Sequence, residues 1–280
     1  MKKIMEKWMW RPFNKKVAPG KTGMIMLGSF LALITAVSLA SANHSWSTYH
    51  WARTLNPFTL KLGNNVSSTW APYLTEASND WSVSSILDTT IITGANVSKP
   101  RVCSPVSGRV EVCSAKYGSV GWLGIAQVWV SGSHITQSTV KVNDTYFTTA
   151  TYNTPAWRRL VMCQEVGHAF GLDHQDTGNT NLNMGSCMDY TSNPAGPPSN
   201  EHPNTHDYDQ LVTIYTHFDS TTTVGQTINT MPSAAKSPGS NGPRGWGKLL
   251  RLAHGSQPEV YERDFGNGHK MFTFVTWAVE

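Results

Sequence analysis

Cys163–Tyr190 reads CQEVGHAFGLDHQDTGNTNLNMGSCMDY, and the spacing of its polar residues decides what the rest of the chain must support. Four residues apart on a helix, Gln164 and His168 lie one above the other and can point at a single ion. Glu165 is turned about 100° from Gln164, beside such an ion rather than on it. Gly171 lets the backbone leave the helix sharply, which brings His174 back toward the same point.

Set against the pattern H-E-x-x-H-x-x-G-x-x-H, Gln164 to His174 matches every defined position except the first, where Gln164 stands for His. The stretch resembles the metzincin zinc peptidases. Ser186-Cys187-Met188-Asp189-Tyr190 is similar to the Met-turn of that family, in the form closest to astacins and serralysins. The resemblance implies Zn2+ held by Gln164, His168 and His174, with Glu165 as general base. It also implies Tyr190 as donor to the transition-state oxyanion and Met188 packed beneath the metal. Looser likenesses extend over about residues 50–218. Gly124-Ile125-Ala126, with His134-Ile135 and Asn143-Asp144, is similar to the matrixin strand that borders the substrate cleft. The segment from His206, with Asp209-Gln210-Leu211 and Tyr215, looks like the matrixin C-terminal helix. These likenesses imply an α+β fold with a mixed sheet and an active-site helix, and a polypeptide substrate paired to the strand at 124–130. Gln175 after His174 matches no main subfamily, and no pro-domain fits between Ala42 and the first strand.

Gln164 leaves three outcomes open. Its amide oxygen is neutral and hard, whereas zinc favours imidazole or thiolate. It can ligate weakly beside His168 and His174; a neighbour such as His134 can substitute; or the site is degenerate. The chain is then either a metalloendopeptidase or a catalytically inactive metzincin-fold protein that binds a protein or glycan.

Composition narrows the setting. Charged residues make up 14% of the 280-residue chain, against about 25% in soluble domains, which suits an exported protein. Residues 1–42 hold seven Lys and Arg against Glu6 alone, a net of +6; the chain as a whole is +4, so residues 43–280 carry −2. That balance offers no electrostatic case for nucleic-acid binding. The basic N-terminus, the apolar run Met24 to Leu39 and Ala40-Ser41-Ala42 read together as a secretory signal peptide over 1–42. An uncleaved N-terminal anchor is the alternative, and no other transmembrane segment is expected. The expected location is secreted or periplasmic, with the oligomeric state open. Four cysteines in an exported chain suggest two disulfides, Cys103–Cys113 and Cys163–Cys187, against four buried thiols.

Outside the central stretch, the pattern predicts a strand at Phe58–Leu62, a turn at 63–65, and a helix over Ser67–Ser82 capped by Ser67 or Ser68. A strand is expected at 85–93, and two short strands flank a turn at Ser107-Gly108. Trp122–Val130 and Ile135–Val142 read as strands joined at Ser131-Gly132-Ser133. Thr154-Pro155 starts the ligand-bearing helix. A further helix is expected over His206–His217, closing a main domain at 43–218. Residues 219–245 read as a linker and 246–280 as a small β appendage. The oxygen-rich loop Asp176–Asn183 is a candidate for Ca2+ or simply a polar loop.

Overall fold

The computed structural model describes residues 44–227, 232–252 and 258–278; the proposed signal peptide lies outside them. Twelve helices and strands follow in order: β1 (His50–Trp51), β2 (Phe58–Asn65), α1 (Ala71–Trp81), β3 (Leu87–Thr93), β4 (Val110–Ala115), β5 (Trp122–Ser131), β6 (His134–Asn143), α2 (Pro155–His168), α3 (Thr205–Ile214), β7 (Lys248–Leu252), β8 (Pro258–Gly266) and β9 (His269–Trp277). The class is α+β. The strands form one mixed sheet in the order β3-β2-β4-β6-β5-β9-β8-β7, with β1 paired to β6. The β3-β2-β4-β6 half is parallel, and from β5 onward the neighbours are antiparallel.

Both long helices form where apolar residues recur at helical spacing. Trp70, Leu74, Ala77 and Trp81 are buried together, and α2 turns Leu160, Cys163 and Val166 into the same core. Thr154 caps α2 by accepting from the Trp157 N–H, with Pro155 in the first turn. The expected Ser67 or Ser68 cap of α1 is absent. Trp70 is the capping residue and Pro72 sits in the first turn, so regular helix begins only at Ala71.

Gly63-Asn64-Asn65 is strand rather than turn. Asn65 donates to the buried Glu111 carboxylate at 2.7 Å. A Cβ on Gly63 would sit 2.5 Å from a Glu111 oxygen, so glycine here makes room for that buried acid instead of bending the chain. Of the two strands expected around Ser107-Gly108 only β4 forms; Gly108 itself has φ +79°. Both expected disulfides are present, Cys103–Cys113 and Cys163–Cys187.

The C-terminal strands continue the main sheet instead of standing apart from it. Residues 271–276 (MFTFVT) are buried throughout, as a strand covered on both faces must be. The segment at 219–245 is also docked. Gln137 donates to the Ala235 carbonyl, Gln127 to the Ser240 carbonyl, and buried Lys141 to the Gly239 carbonyl and Asn241. The polar face of β5 and β6, which alternation would give to solvent, is thus covered by a segment rich in free carbonyls. Among the described residues no helix is long and apolar enough to cross a membrane.

Candidate metal and catalytic site

His168 is the last residue of α2. Gly171 follows at φ +100°, where a Cβ would stand 2.7 Å from the Tyr49 carbonyl oxygen, so this exit from the helix needs glycine. The turn returns His174 to His168, and their Nε2 atoms lie 3.0 Å apart. The proton positions follow from the other nitrogens. His168 Nδ1 faces the Leu172 carbonyl at 2.9 Å, and His174 Nδ1 faces the Glu259 carboxylate. Neither acceptor has a proton to give, so each ring donates from Nδ1, and the two Nε2 atoms face each other across the turn. Burial, reinforced by His174, holds His168 well below its ordinary pKa, which keeps that ring neutral. Their separation admits a shared proton, with His174 as the imidazolium paired to Glu259, or an ion held between the two rings. Tetrahedral zinc with bonds of about 2.0–2.1 Å places neighbouring ligand nitrogens about 3.4 Å apart, so holding the ion requires the pair to open by about 0.4 Å.

The other expected residues surround this pair unevenly. Gln164 is buried, but its Oε1 accepts from the Thr276 hydroxyl at 2.6 Å. Its amide nitrogen has no hydrogen-bond partner among the described residues. Glu165 is fully buried, and burial pushes its carboxyl up to about 8; the Thr276 hydroxyl opposes this only weakly, since its proton goes to Gln164. Space for Glu165 comes from Gly124 on β5, where a Cβ would lie 2.6 Å from its Oε1. Met188 is buried, and a Cβ on Gly167 would strike its sulfur at 2.5 Å, so the Ser186–Tyr190 segment packs against the helix one residue before His168. The Cys163–Cys187 disulfide ties the same two segments. The Tyr190 ring lies against His174, with centroids 4.3 Å apart.

His134 does not substitute for Gln164. It lies at the start of β6, with Nε2 3.2 Å from Asp219 Oδ1. In the Asp176–Asn183 loop, Asp176 is the single carboxylate, and its Oδ1 accepts from the Gly178 N–H at 2.5 Å.

The cleft border is also filled. β5, expected to pair with a peptide substrate, pairs antiparallel with β9. Three successive β9 residues then touch three site residues. Phe274 stacks on the His168 ring at 4.4 Å, the Val275 carbonyl accepts from the Tyr190 hydroxyl at 2.8 Å, and Thr276 donates to Gln164. From β8, Glu259 binds His174 and is clamped by Arg251, which also pairs with Asp173. Burial alone would raise Glu259, but His174 and Arg251 hold it down to about 2. What remains open beside Gln164 is a cavity of about 20 Å³, lined by Trp157, Gln164, Tyr190 and Thr276 among others, room for about one water.

The motif gave no sign of Glu259, Phe274, Val275 or Thr276. Two signals pointed that way. MFTFVTW is too continuously apolar for a strand with a wet face, and Glu259 is a carboxylate at a strand position that turns inward.

No family model and no curated protein matches the chain. Among solved structures it is similar to the GM1-bound form of the ECX AB5 holotoxin, with 14% identity and a TM-score of 0.33, over 59% of this chain and 86% of that one. It is also similar to high choriolytic enzyme 1, a hatching enzyme zinc-protease from Oryzias latipes. That match has 12% identity and a TM-score of 0.33, over 61% of this chain and 96% of the other.

Proposed function

We propose that the chain is a secreted zinc-dependent endopeptidase held closed by its own C-terminal strand. The supporting observation is the facing Nε2 pair of His168 and His174, 3.0 Å apart, each ring oriented by the acceptor behind its Nδ1. Gln164 would complete the set as the weakest member. Bound there, zinc would polarise the scissile carbonyl and lower the pKa of a water.

The chain's own residues supply the rest. Glu165 takes the water's proton and passes it to the leaving amine. As a base it must be ionised, and burial holds its proton until about pH 8; the closed state therefore also keeps the base unready. The Tyr190 hydroxyl donates to the developing oxyanion. In the closed state it donates instead to the Val275 carbonyl, a peptide group presented by an extended strand running antiparallel to β5. Once β9 leaves, β5 can add a substrate strand in its place. The two disulfides and the N-terminal sequence support an extracellular setting.

One observation favours an inactive, binding role: the Gln164 oxygen and the His174 Nδ1 are both engaged by the tail. Casein hydrolysis separates the two roles. It is measured on the intact chain and on Val275→Pro, each with and without chelator, with Glu165→Ala as control. Chelator-sensitive cleavage that Glu165→Ala abolishes supports the peptidase. Zinc-loaded protein that cleaves nothing in either form sinks it.

A further inference from the structure

Away from the α2 site, three histidines converge on one carboxylate. His50 on β1, His134 at the start of β6, and His217 and Asp219 just past α3 meet at a surface where those elements come together. Asp219 Oδ1 lies 3.3 Å from His50 Nε2, 3.2 Å from His134 Nε2 and 3.7 Å from His217 Nε2. His50 Nε2 and His217 Nε2 are 3.2 Å apart.

The rings gather on one oxygen of the carboxylate, as ion pairs when protonated and as a ligand set when neutral. His50 Nδ1 faces the Thr48 carbonyl at 2.7 Å and must donate to it, so in the neutral ring Nε2 is a bare lone pair. That lone pair is turned toward a carboxylate oxygen and a second imidazole nitrogen. The other Asp219 oxygen is already served by the Arg53 backbone N–H and guanidinium, at 3.1 and 3.2 Å. Arg53 thereby fixes the carboxylate and aims Oδ1 at the rings, the outer-layer orientation that metal ligands usually have. The separations among His50, His217 and Asp219 bracket the about 3.4 Å edge of a tetrahedral zinc site. Two imidazoles with one carboxylate form a donor set suited to a borderline divalent metal.

We infer that His50, His217 and Asp219, with a fourth position left for water, form a second transition-metal site of the zinc type. The site shares no residue with the one on α2. His50 and the Asp219 carboxylate are buried, while His217 is about half exposed, so an ion can enter from solvent. The bound ion fastens the segment after α3 to β1. Asp219 N–H to Arg53 O and Thr223 N–H to Ala52 O already lay that segment along the same stretch of chain.

The test is metal stoichiometry on the full chain. Zinc-loaded protein is dialysed against metal-free buffer, and retained zinc is counted for wild type and for His217→Ala, an exposed change that leaves the core intact. His217→Ala should lose one equivalent, together with a zinc-dependent rise in melting temperature. A His168→Asn, His174→Asn variant should retain that equivalent. Equal retained zinc in wild type and His217→Ala overturns the site, as does a wild type that retains none.

Discussion

The Tyr190 hydroxyl donates to the Val275 carbonyl at 2.8 Å, so the residue expected to hold a reaction's oxyanion holds a peptide carbonyl of its own chain. The contact is substrate-like in kind, made by a strand that already occupies β5. Proline at 275 cannot donate to the ladder. Weakening of the strand by about 1 kcal/mol shifts a closed–open balance roughly fivefold. Val275→Pro should therefore raise casein hydrolysis about fivefold and make residues 258–278 more sensitive to trypsin. Faster trypsin cutting without faster casein hydrolysis would detach the strand from control of activity.

Gln164 would be the weak point of the proposed ligand set. In Gln164→His an imidazole replaces a neutral amide oxygen, and zinc affinity should rise on the order of tenfold or more. Thr276 simultaneously loses its acceptor, which loosens the tail by about 1 kcal/mol. Competition with a chromogenic chelator reads the affinity. Unchanged affinity would remove position 164 from the site, and activity gained from a wild type with none would make the natural protein a binding module.

Much of this site was legible because local geometry dictates it. The i, i+4 spacing, the positive-φ Gly171 and the Cys163–Cys187 pairing all concern residues close in sequence or fixed by one turn. The tail was not legible in the same way. Glu259 reaches His174 across 85 positions and Thr276 reaches Gln164 across 112, and no periodicity announces a pairing between strands so far apart. Polarity misled at 219–245 for a related reason. A Ser- and Gly-rich segment reads as a linker, yet its carbonyls are what buried Lys141, Gln127 and Gln137 require. Asn65, Asn96 and Asn143 each begin an N-x-S/T sequence, the acceptor pattern of surface glycosylation. Asn65, Asn96 and Asn143 are buried, and their side chains bond to neighbours, so these asparagines are structural.

The Cys163–Cys187 disulfide closes a separation of 24 residues and joins α2 to the Ser186–Tyr190 segment. A loop of that length implies about 3 kcal/mol of stabilisation by restriction of the unfolded chain. Cys163→Ser with Cys187→Ser should cost about that much in urea unfolding and lower zinc affinity as well, because His168 and Met188 lose their common anchor. A loss of stability with zinc affinity unchanged would mean that the bridge holds the fold but not the site.

Glu165 sets a pH dependence whose sign can be worked out. In the folded, metal-free protein burial keeps its proton until about pH 8, whereas an unfolded glutamate releases it near 4.3. Between those values the folded state binds more protons than the unfolded state, so stability falls as pH rises through that window and levels off above it. Glu259 acts at the other end. Its carboxyl is held down to about 2, so its contribution is present above the unfolded value and fades as pH drops from about 4.3 toward 2. Relative to Glu165→Gln, chelator-treated wild type should therefore lose a few kcal/mol of stability between pH 5 and pH 8. Glu165→Gln, which has no proton to release, should flatten the upper arm and leave the acid arm in place. Urea midpoints at pH 3, 5 and 8 for both proteins read the difference. Parallel profiles above pH 5 would show that Glu165 ionises normally inside the fold, and the closed state would then no longer hold the base protonated.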